Sequence, residues 1–389
     1  MIMKNSILFL TNAYPDFEDS YRGIFIKKMA ELLQGDGYEL SVVTPKIYKG
    51  SSYFEEQNGI KVYRFPFFSG NKLLIEYEKI PYLRMIFYYI SGFLFTFFVI
   101  FKHRCHLIHA HWAIPTGLLG VLVGDFLRKP VIVTIHGSDL RMALKSLGFL
   151  RKLFIYVCKK ATHLNCVSEM QKKGLEQLKI ENKRISIIPM SVDEAFLEVG
   201  KNRKMRLNKR PSTILSNRNL LPIYNVSLLI RAIPMVLKEE WKVRFLIAGD
   251  GSEREELEKK AKELNVIMSI KFLGRVPHDN MPNVLAETDI YVSTSPYDGT
   301  SVSLLEAMAS GVFPVVTDIP SNREWITHGE NGFLVPADEE KILASKILEA
   351  MQTPKLLELA YGKNIEIIEQ RANWRNNIRK IVEIYSVFS

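Results

Sequence analysis

Tyr297-Asp298-Gly299-Thr300-Ser301-Val302-Ser303-Leu304-Leu305-Glu306-Ala307-Met308-Ala309-Ser310-Gly311 follows a short apolar strand pattern at 290–292 and turns into a helical pattern near Ser301. Backbone N–H groups in the first turn of such a helix have no partner inside it, and the aligned peptide dipoles favour an anion there. The turn Gly299-Thr300-Ser301 carries small side chains, so a phosphate can come close to the backbone. Asp298 lies just before the helix and Glu306 eight residues further on, about two turns away. One carboxylate can then face a ligand at the helix mouth while the other meets a second part of it. The plainer alternative makes Asp298 a helix cap and Glu306 a solvated helical residue.

Outward from this stretch the chain alternates between strand and helix patterns, the mark of parallel sheets covered on both faces. Strand patterns fall at 6–11, 40–44, 62–65, 107–110 and 131–135, then restart at 212–216, 243–248, 269–272, 290–293 and 312–316. Between the two series, 201–210 is polar and basic and reads as the linker. At the end, Trp374, Ile378, Ile381, Val382 and Tyr385 recur at helical spacing, as in an amphipathic helix packed across both domains. No fixed-period repeat exists, which excludes a solenoid.

A chain of 389 residues suits two domains, and 47% hydrophobic with 24% charged residues excludes disorder. Cys105, Cys158 and Cys166 form neither a CxxC pair nor an even framework, which fits a reducing cytoplasm. The apolar run at 7–10 is too short for a secretory signal. Charge is uneven: residues 1–190 hold 26 Lys+Arg against 15 Asp+Glu, and the remainder 26 against 27. A basic half attracts polyanions such as nucleic acid, anionic lipid or phosphorylated lipid carriers, unless it is only a solvated surface.

Residues 85–101 are almost wholly apolar, between Arg84 and Lys102. At 17 residues they could span a bilayer, fill a core, or dip into the membrane interface. In 141–160, Arg151, Lys152, Lys159 and Lys160 alternate with Leu150, Phe154, Ile155 and Val157, as on a surface for anionic lipid.

The run from Asp298 to Glu306 resembles the E-x7-E element of the family 4 retaining glycosyltransferases, with Asp298 in place of the first Glu. The likeness continues through Gly311, Pro314-Val315-Val316, Asp318-Ile319-Pro320-Ser321-Asn322-Arg323-Glu324 and Asn331-Gly332-Phe333-Leu334-Val335-Pro336. It implies an α/β GT-B fold: two Rossmann-like domains facing a deep cleft, the C-terminal helix crossing back to the N-terminal domain. Residues 1–200 with 373–389 would bind the acceptor and 201–372 the nucleotide-sugar.

The same resemblance assigns roles. Arg218, after the strand at 212–216, would pair with the donor pyrophosphate, a task suited to a permanent planar cation. Similar enzymes carry a Lys a few residues on, where this chain has Tyr224-Asn225, a departure that removes one phosphate charge. Asp298 would hold sugar hydroxyls, Glu306 the ribose, and Gly299, Thr300, Ser301, Val302 and Ser303 the phosphates. Leu246-Ile247-Ala248-Gly249-Asp250-Gly251 matches the family's strand and glycine turn, with Gly249 at the donor; a nicotinamide G-x-G-x-x-G fails because Arg254 stands at the third glycine. Gly274-Arg275-Val276 lies where similar enzymes hold the base, so Arg275 and Val276 join the donor set. Gly23, in Arg22-Gly23-Ile24-Phe25, would lie against the donor phosphate and acceptor; a plain turn glycine is the other reading. His136 would hydrogen-bond the transferred sugar, and His111 has a structural or acceptor-side role.

The implied reaction is hexosyl transfer with retention from a nucleotide diphosphate donor, without an enzyme nucleophile. No Asp-x-Asp stands at a strand end, so neither metal nor other cofactor is expected, and no P-loop or G-x-S-x-G elbow is present. Expected partners are the nucleotide-sugar, a lipid-linked or soluble saccharide acceptor of cell-surface polysaccharide synthesis and an anionic membrane surface, but not nucleic acid. The expected location is cytoplasmic, peripheral on the inner face of the cell membrane. A sugar epimerase or phosphorylase of the same architecture, or a non-catalytic sugar-nucleotide or membrane binder, are the rivals.

Overall fold

A computed structural model describes residues 6–17, 20, 22–72, 77, 81–181, 184–203 and 213–388. The chain forms two compact units, Met1–Pro189 with Asn377–Ser389, and Met190–Asn376.

The first unit holds β1 (Ser6–Leu10), β2 (Glu39–Pro45), β3 (Phe54–Gln57), β4 (Ile60–Phe65), β5 (Leu107–His111), β6 (Val131–Ile135), β7 (His163–Cys166) and β8 (Ile185–Ile187). Their order is β3-β4-β2-β1-β5-β6-β7-β8. All pairs are parallel except β3–β4, a hairpin whose Asn58 (φ 50) and Gly59 (φ 79) supply the two positive φ values of a tight turn. β1, β5 and β6 are buried at every position. That is why β1 and β6 read as near-continuous apolar runs, while β5 carries the buried His109 and His111 among its apolar residues.

The second unit holds β9 (Thr213–Asn217), β10 (Arg244–Ala248), β11 (Ile270–Gly274), β12 (Ile290–Ser293), β13 (Phe313–Thr317) and β14 (Phe333–Val335), all parallel in the order β11-β10-β9-β12-β13-β14. Each sheet therefore reverses its strand order once: between β1 and β5 in the first unit, and between β9 and β12 in the second. Open parallel sheets bind ligands at the carboxyl ends of the strands flanking such a reversal.

Two expectations change. The passage between units lies at 189/190, not 200/201, because the helix Glu194–Asn202 packs within the second unit. A Cβ at its Gly200 would meet the Ala309 carbonyl oxygen at 2.1 Å, and Lys201 pairs with Glu369 at 2.7 Å. The rest of the expected linker, from 204 on, lies outside the described residues. The apolar stretch 85–101 belongs to the helix Tyr82–His103, which is not a wholly buried core helix, since several of its large side chains are exposed. The last helix, Trp374–Ser386, begins in the second unit and from Asn377 belongs to the first. Its Tyr385 is fully buried there, hydrogen-bonded to His109 at 2.6 Å.

Candidate active site

The reversal between β9 and β12 brings Arg218 and the 298–303 turn together. β9 delivers Arg218 at its carboxyl end, and the turn after β12 delivers Asp298 and Ser301. The guanidinium donates to Ser301 Oγ at 2.7 Å and to Asp298 Oδ2 at 2.6 Å. Arg218 is buried, which excludes a surface arginine, and its Nε has no hydrogen-bond partner. Burial opposes its charge, but the Asp298 carboxylate more than compensates and raises its pKa further, so the cation is permanent. The Tyr224 ring lies over it, 4.4 Å from the guanidinium carbon to the ring centroid. The turn carrying Tyr224 is pinned by Thr294, which donates to the Asn225 carbonyl at 2.8 Å. The departure from the family's Lys thus replaces a second cation with an aromatic cover for the first.

The helix Val302–Ala309 begins as read, but its cap is Ser301, whose hydroxyl accepts from the Leu304 N–H at 3.4 Å. Asp298 is not the cap. Its carboxylate is the counter-ion of Arg218, and its other oxygen accepts the Gly299 N–H at 3.0 Å. Ser303 Oγ donates to the Asn217 carbonyl at 3.3 Å, tying the helix to the end of β9. Thr300 is buried, and Val302 is half-buried beside the cap.

Glu306 is not a solvated residue. It is buried, about one turn inside the helix, and accepts a 2.9 Å hydrogen bond from His278 Nε2. Burial alone would lower the His278 pKa; the bond to Glu306 and the charges of Glu306, Asp193 and Asp279 outweigh it and hold it above the ordinary histidine value. Sequence reasoning missed His278, whose only signal was its place four residues after Gly274.

Gly249 and Gly274 join the same sheet edge. Gly249 (φ 132) donates its N–H to the Gly274 carbonyl at 2.7 Å, and a Cβ on it would stand 2.2 Å from the Arg218 carbonyl oxygen. Glycine is required there for backbone approach to Arg218. Arg275 is exposed and Val276 half-buried just beyond Gly274.

In the first unit, the reversal between β1 and β5 gathers the remaining candidates. Gly23 (φ 63) precedes the helix Ile24–Gly35, and a Cβ on it would meet the Ala13 carbonyl oxygen at 2.2 Å. The turn after β1 explains this glycine without a ligand. His111 Nδ1 and His136 Nε2 are 3.1 Å apart, and His109, His111 and His136 stack in sequence at centroid separations of 4.5 and 5.4 Å. Burial, reinforced by neighbouring imidazoles, pushes His109 down to about 3 and His111 well below its usual value. Burial likewise pushes His136 down to about 3, so all three are neutral. Asp139 holds the two post-strand loops together, accepting from the N–H groups of Ala113 at 2.6 Å, Gly137 at 3.1 Å and Leu140 at 3.0 Å. Its burial raises the carboxyl to about 6 against those bonds.

Residues 23–196 match the pattern of Glycosyltransferase Family 4, and residues 201–380 that of Glycosyl transferases group 1. The chain belongs to the family 4, group 1 glycosyltransferases. An uncharacterized glycosyltransferase of Methanocaldococcus jannaschii is 26% identical over 316 residues, 80% of this glycosyltransferase and 85% of the relative. The alpha-monoglucosyldiacylglycerol synthase of Streptococcus pneumoniae is 23% identical over 384 residues, 91% of this chain and 83% of the synthase. Among solved structures, Anabaena HepE in complex with UDP superposes with a TM-score of 0.76 at 18% identity, covering 99% of this chain and all (100%) of HepE. The fold of this glycosyltransferase is GT-B.

Proposed function

We propose that this glycosyltransferase transfers a hexosyl group with retention from a nucleotide diphosphate donor to a lipid-linked saccharide in cell-surface polysaccharide synthesis. The observation that carries the reading is the meeting of Arg218, Ser301 and Asp298 at the strand-order reversal. There a buried guanidinium and a helix N-terminus supply fixed positive potential for a departing diphosphate. The bond from the anomeric carbon to the β-phosphate oxygen breaks, leaving its electron pair on that oxygen. The acceptor hydroxyl oxygen bonds to the anomeric carbon from the same face, and its proton passes to a leaving phosphate oxygen.

Asp298 takes the sugar hydroxyls once the diphosphate has claimed its share of Arg218, and Glu306 holds the ribose. Gly249, Gly299, Thr300 and the N–H groups of 301–303 line the diphosphate; Arg275 and Val276 flank the base; Gly23 lies against the donor phosphate and the acceptor, His111 is on the acceptor side, and His136 bonds the sugar as a neutral imidazole. With Arg218 and the helix supplying the positive charge, transfer proceeds without a divalent cation or other cofactor. The domain assignment follows: the second unit binds donor and the first binds acceptor, on the inner face of the cell membrane. The excess of basic residues before 190 supports an anionic membrane surface. HepE was solved with UDP and the pneumococcal relative is a glycolipid synthase, which supports a uridine donor and a lipid acceptor.

Purified full-length chain incubated with UDP-, GDP- and ADP-sugars and lipid-extract acceptor, with and without EDTA, tests this. The expected result is donor-dependent, EDTA-insensitive release of one nucleoside diphosphate, with product of unchanged anomeric configuration by proton NMR. Tight donor binding without turnover under any acceptor would make the chain a binder instead.

A further inference from the structure

The helix Tyr82–His103 buries one stripe, including Tyr88, Thr96 and Val99, against the sheet of the first unit. Its opposite stripe presents Leu83, Phe87, Ile90 and Leu94 at 54–77% exposure. The helix Leu118–Leu127 packs between it and the helix Phe149–Lys160 and extends the apolar face. Phe126 is 69% exposed with its ring 6.0 Å from that of Phe97, and Phe149 is 72% exposed. Contiguous exposed apolar surface of this kind marks an interaction site on a soluble domain.

Charge identifies the partner. Residues 82–104, 118–129 and 147–160 contain nine Lys and Arg and a single acidic residue, Asp125. Asp125 is already paired with Lys160 at 2.8 Å. A second copy of this layer would bring two cationic faces together, whereas anionic headgroups neutralise them. Spanning is excluded by the fold. The buried stripe is committed to the sheet, and the helix runs within a few residues into β5, which pairs with β1 and β6 in mid-sheet. Drawing the helix across a bilayer would strip those backbone pairs from the core.

We propose that these three helices form one docking face for an anionic lipid bilayer, with Tyr82–His103 lying in the interfacial plane. This rests on the lipid-linked acceptor reading above and narrows it to a surface. The apolar stripe sits at the boundary of headgroup and acyl chain, and Lys102, Arg151 and Lys152 meet lipid phosphates.

The test is co-sedimentation of the full chain with phosphatidylcholine vesicles, with and without phosphatidylglycerol. The parent binds the anionic vesicles at least about tenfold more tightly and is released by salt. The triple variant Leu83→Ser/Phe87→Ser/Ile90→Ser loses about tenfold or more of that binding, with its circular dichroism unchanged. As a reading independent of that variant's folding, Ile90→Trp gains a blue-shifted emission quenched by lipids brominated just below the headgroup. Equal binding to neutral and anionic vesicles, undiminished binding by the triple variant, or absent quenching each overturns the proposal. So does a salt-insensitive dimer that the triple variant dissolves. Nucleoside diphosphate binding on the same samples separates the two readings: a parent chain that binds nucleotide but no anionic vesicles sinks the docking face alone.

Discussion

The Tyr224 ring covers the Arg218 guanidinium at 4.4 Å, in the place where the family resemblance calls for a second cation. A cation over an aromatic face gains about 0.5–2 kcal/mol, more as water is excluded. Tyr224→Phe keeps the ring and should leave the donor KM within about twofold, whereas Tyr224→Ala should raise it about two- to thirtyfold. Tyr224→Lys sets two cations side by side. It should lower the melting temperature of the ligand-free chain while tightening donor binding at low salt. Steady-state kinetics and thermal melts on the three variants check this.

Gly249 supports the same cation from behind. In Gly249→Ala the new Cβ would meet the Arg218 carbonyl oxygen at 2.2 Å from a backbone at φ 132. Both strains act in one direction. Urea unfolding should show a loss of about 1–3 kcal/mol, accompanied by weaker donor binding because Arg218 is displaced.

The His278–Glu306 pair makes stability and donor affinity depend on pH. The folded-state pKa of His278 lies above its unfolded value of 6.5. The pair's contribution is therefore fully present below pH 6.5 and lost as pH rises through the folded value. His278→Gln should flatten that dependence in urea titrations from pH 6 to pH 9, about the histidine range. Glu306→Ala should weaken donor binding, and the His278 resonance should then titrate closer to its ordinary value by NMR.

His109 has the opposite sign. Its folded pKa of about 3 lies below the unfolded 6.5, so its contribution is present above pH 6.5 and erodes as pH falls toward 3. His109→Gln can keep partners at both Tyr385 and Thr134 while removing the titration. The expected effect is a shallower acid limb between pH 6.5 and 4, by up to about 1.4 kcal/mol per pH unit.

The sequence carried most of the parallel strands well because buried parallel strands are near-continuous apolar runs. It carried three short strands poorly, the edges β3 and β8 and the neighbouring β7. β3 and β8 contain only half-buried or exposed residues, and β7 mixes His163 and Asn165 with apolar neighbours, so no apolar run announces them. The Asn58-Gly59 pair is the one sequence signal for the β3–β4 hairpin. At the candidate site, Arg218 and the 298–306 stretch were legible because a motif preserves their spacing. Which side chain pairs with which was not: that Asp298 binds Arg218, Ser301 caps the helix and His278 meets Glu306 depends on strands far apart in the chain. Gly23 and Gly249 look alike as glycines, yet one is explained by the Ala13 turn and the other by the Arg218 backbone.

Calorimetric titration of UDP, GDP and ADP into the full chain and into Arg218→Ala shows whether the buried guanidinium holds the donor diphosphate. One nucleoside diphosphate should bind the parent, and the variant should lose about a hundredfold of that affinity and of turnover, the effect of removing one preorganised charge-assisted donor. Equal affinity of parent and variant for every nucleotide would contradict it.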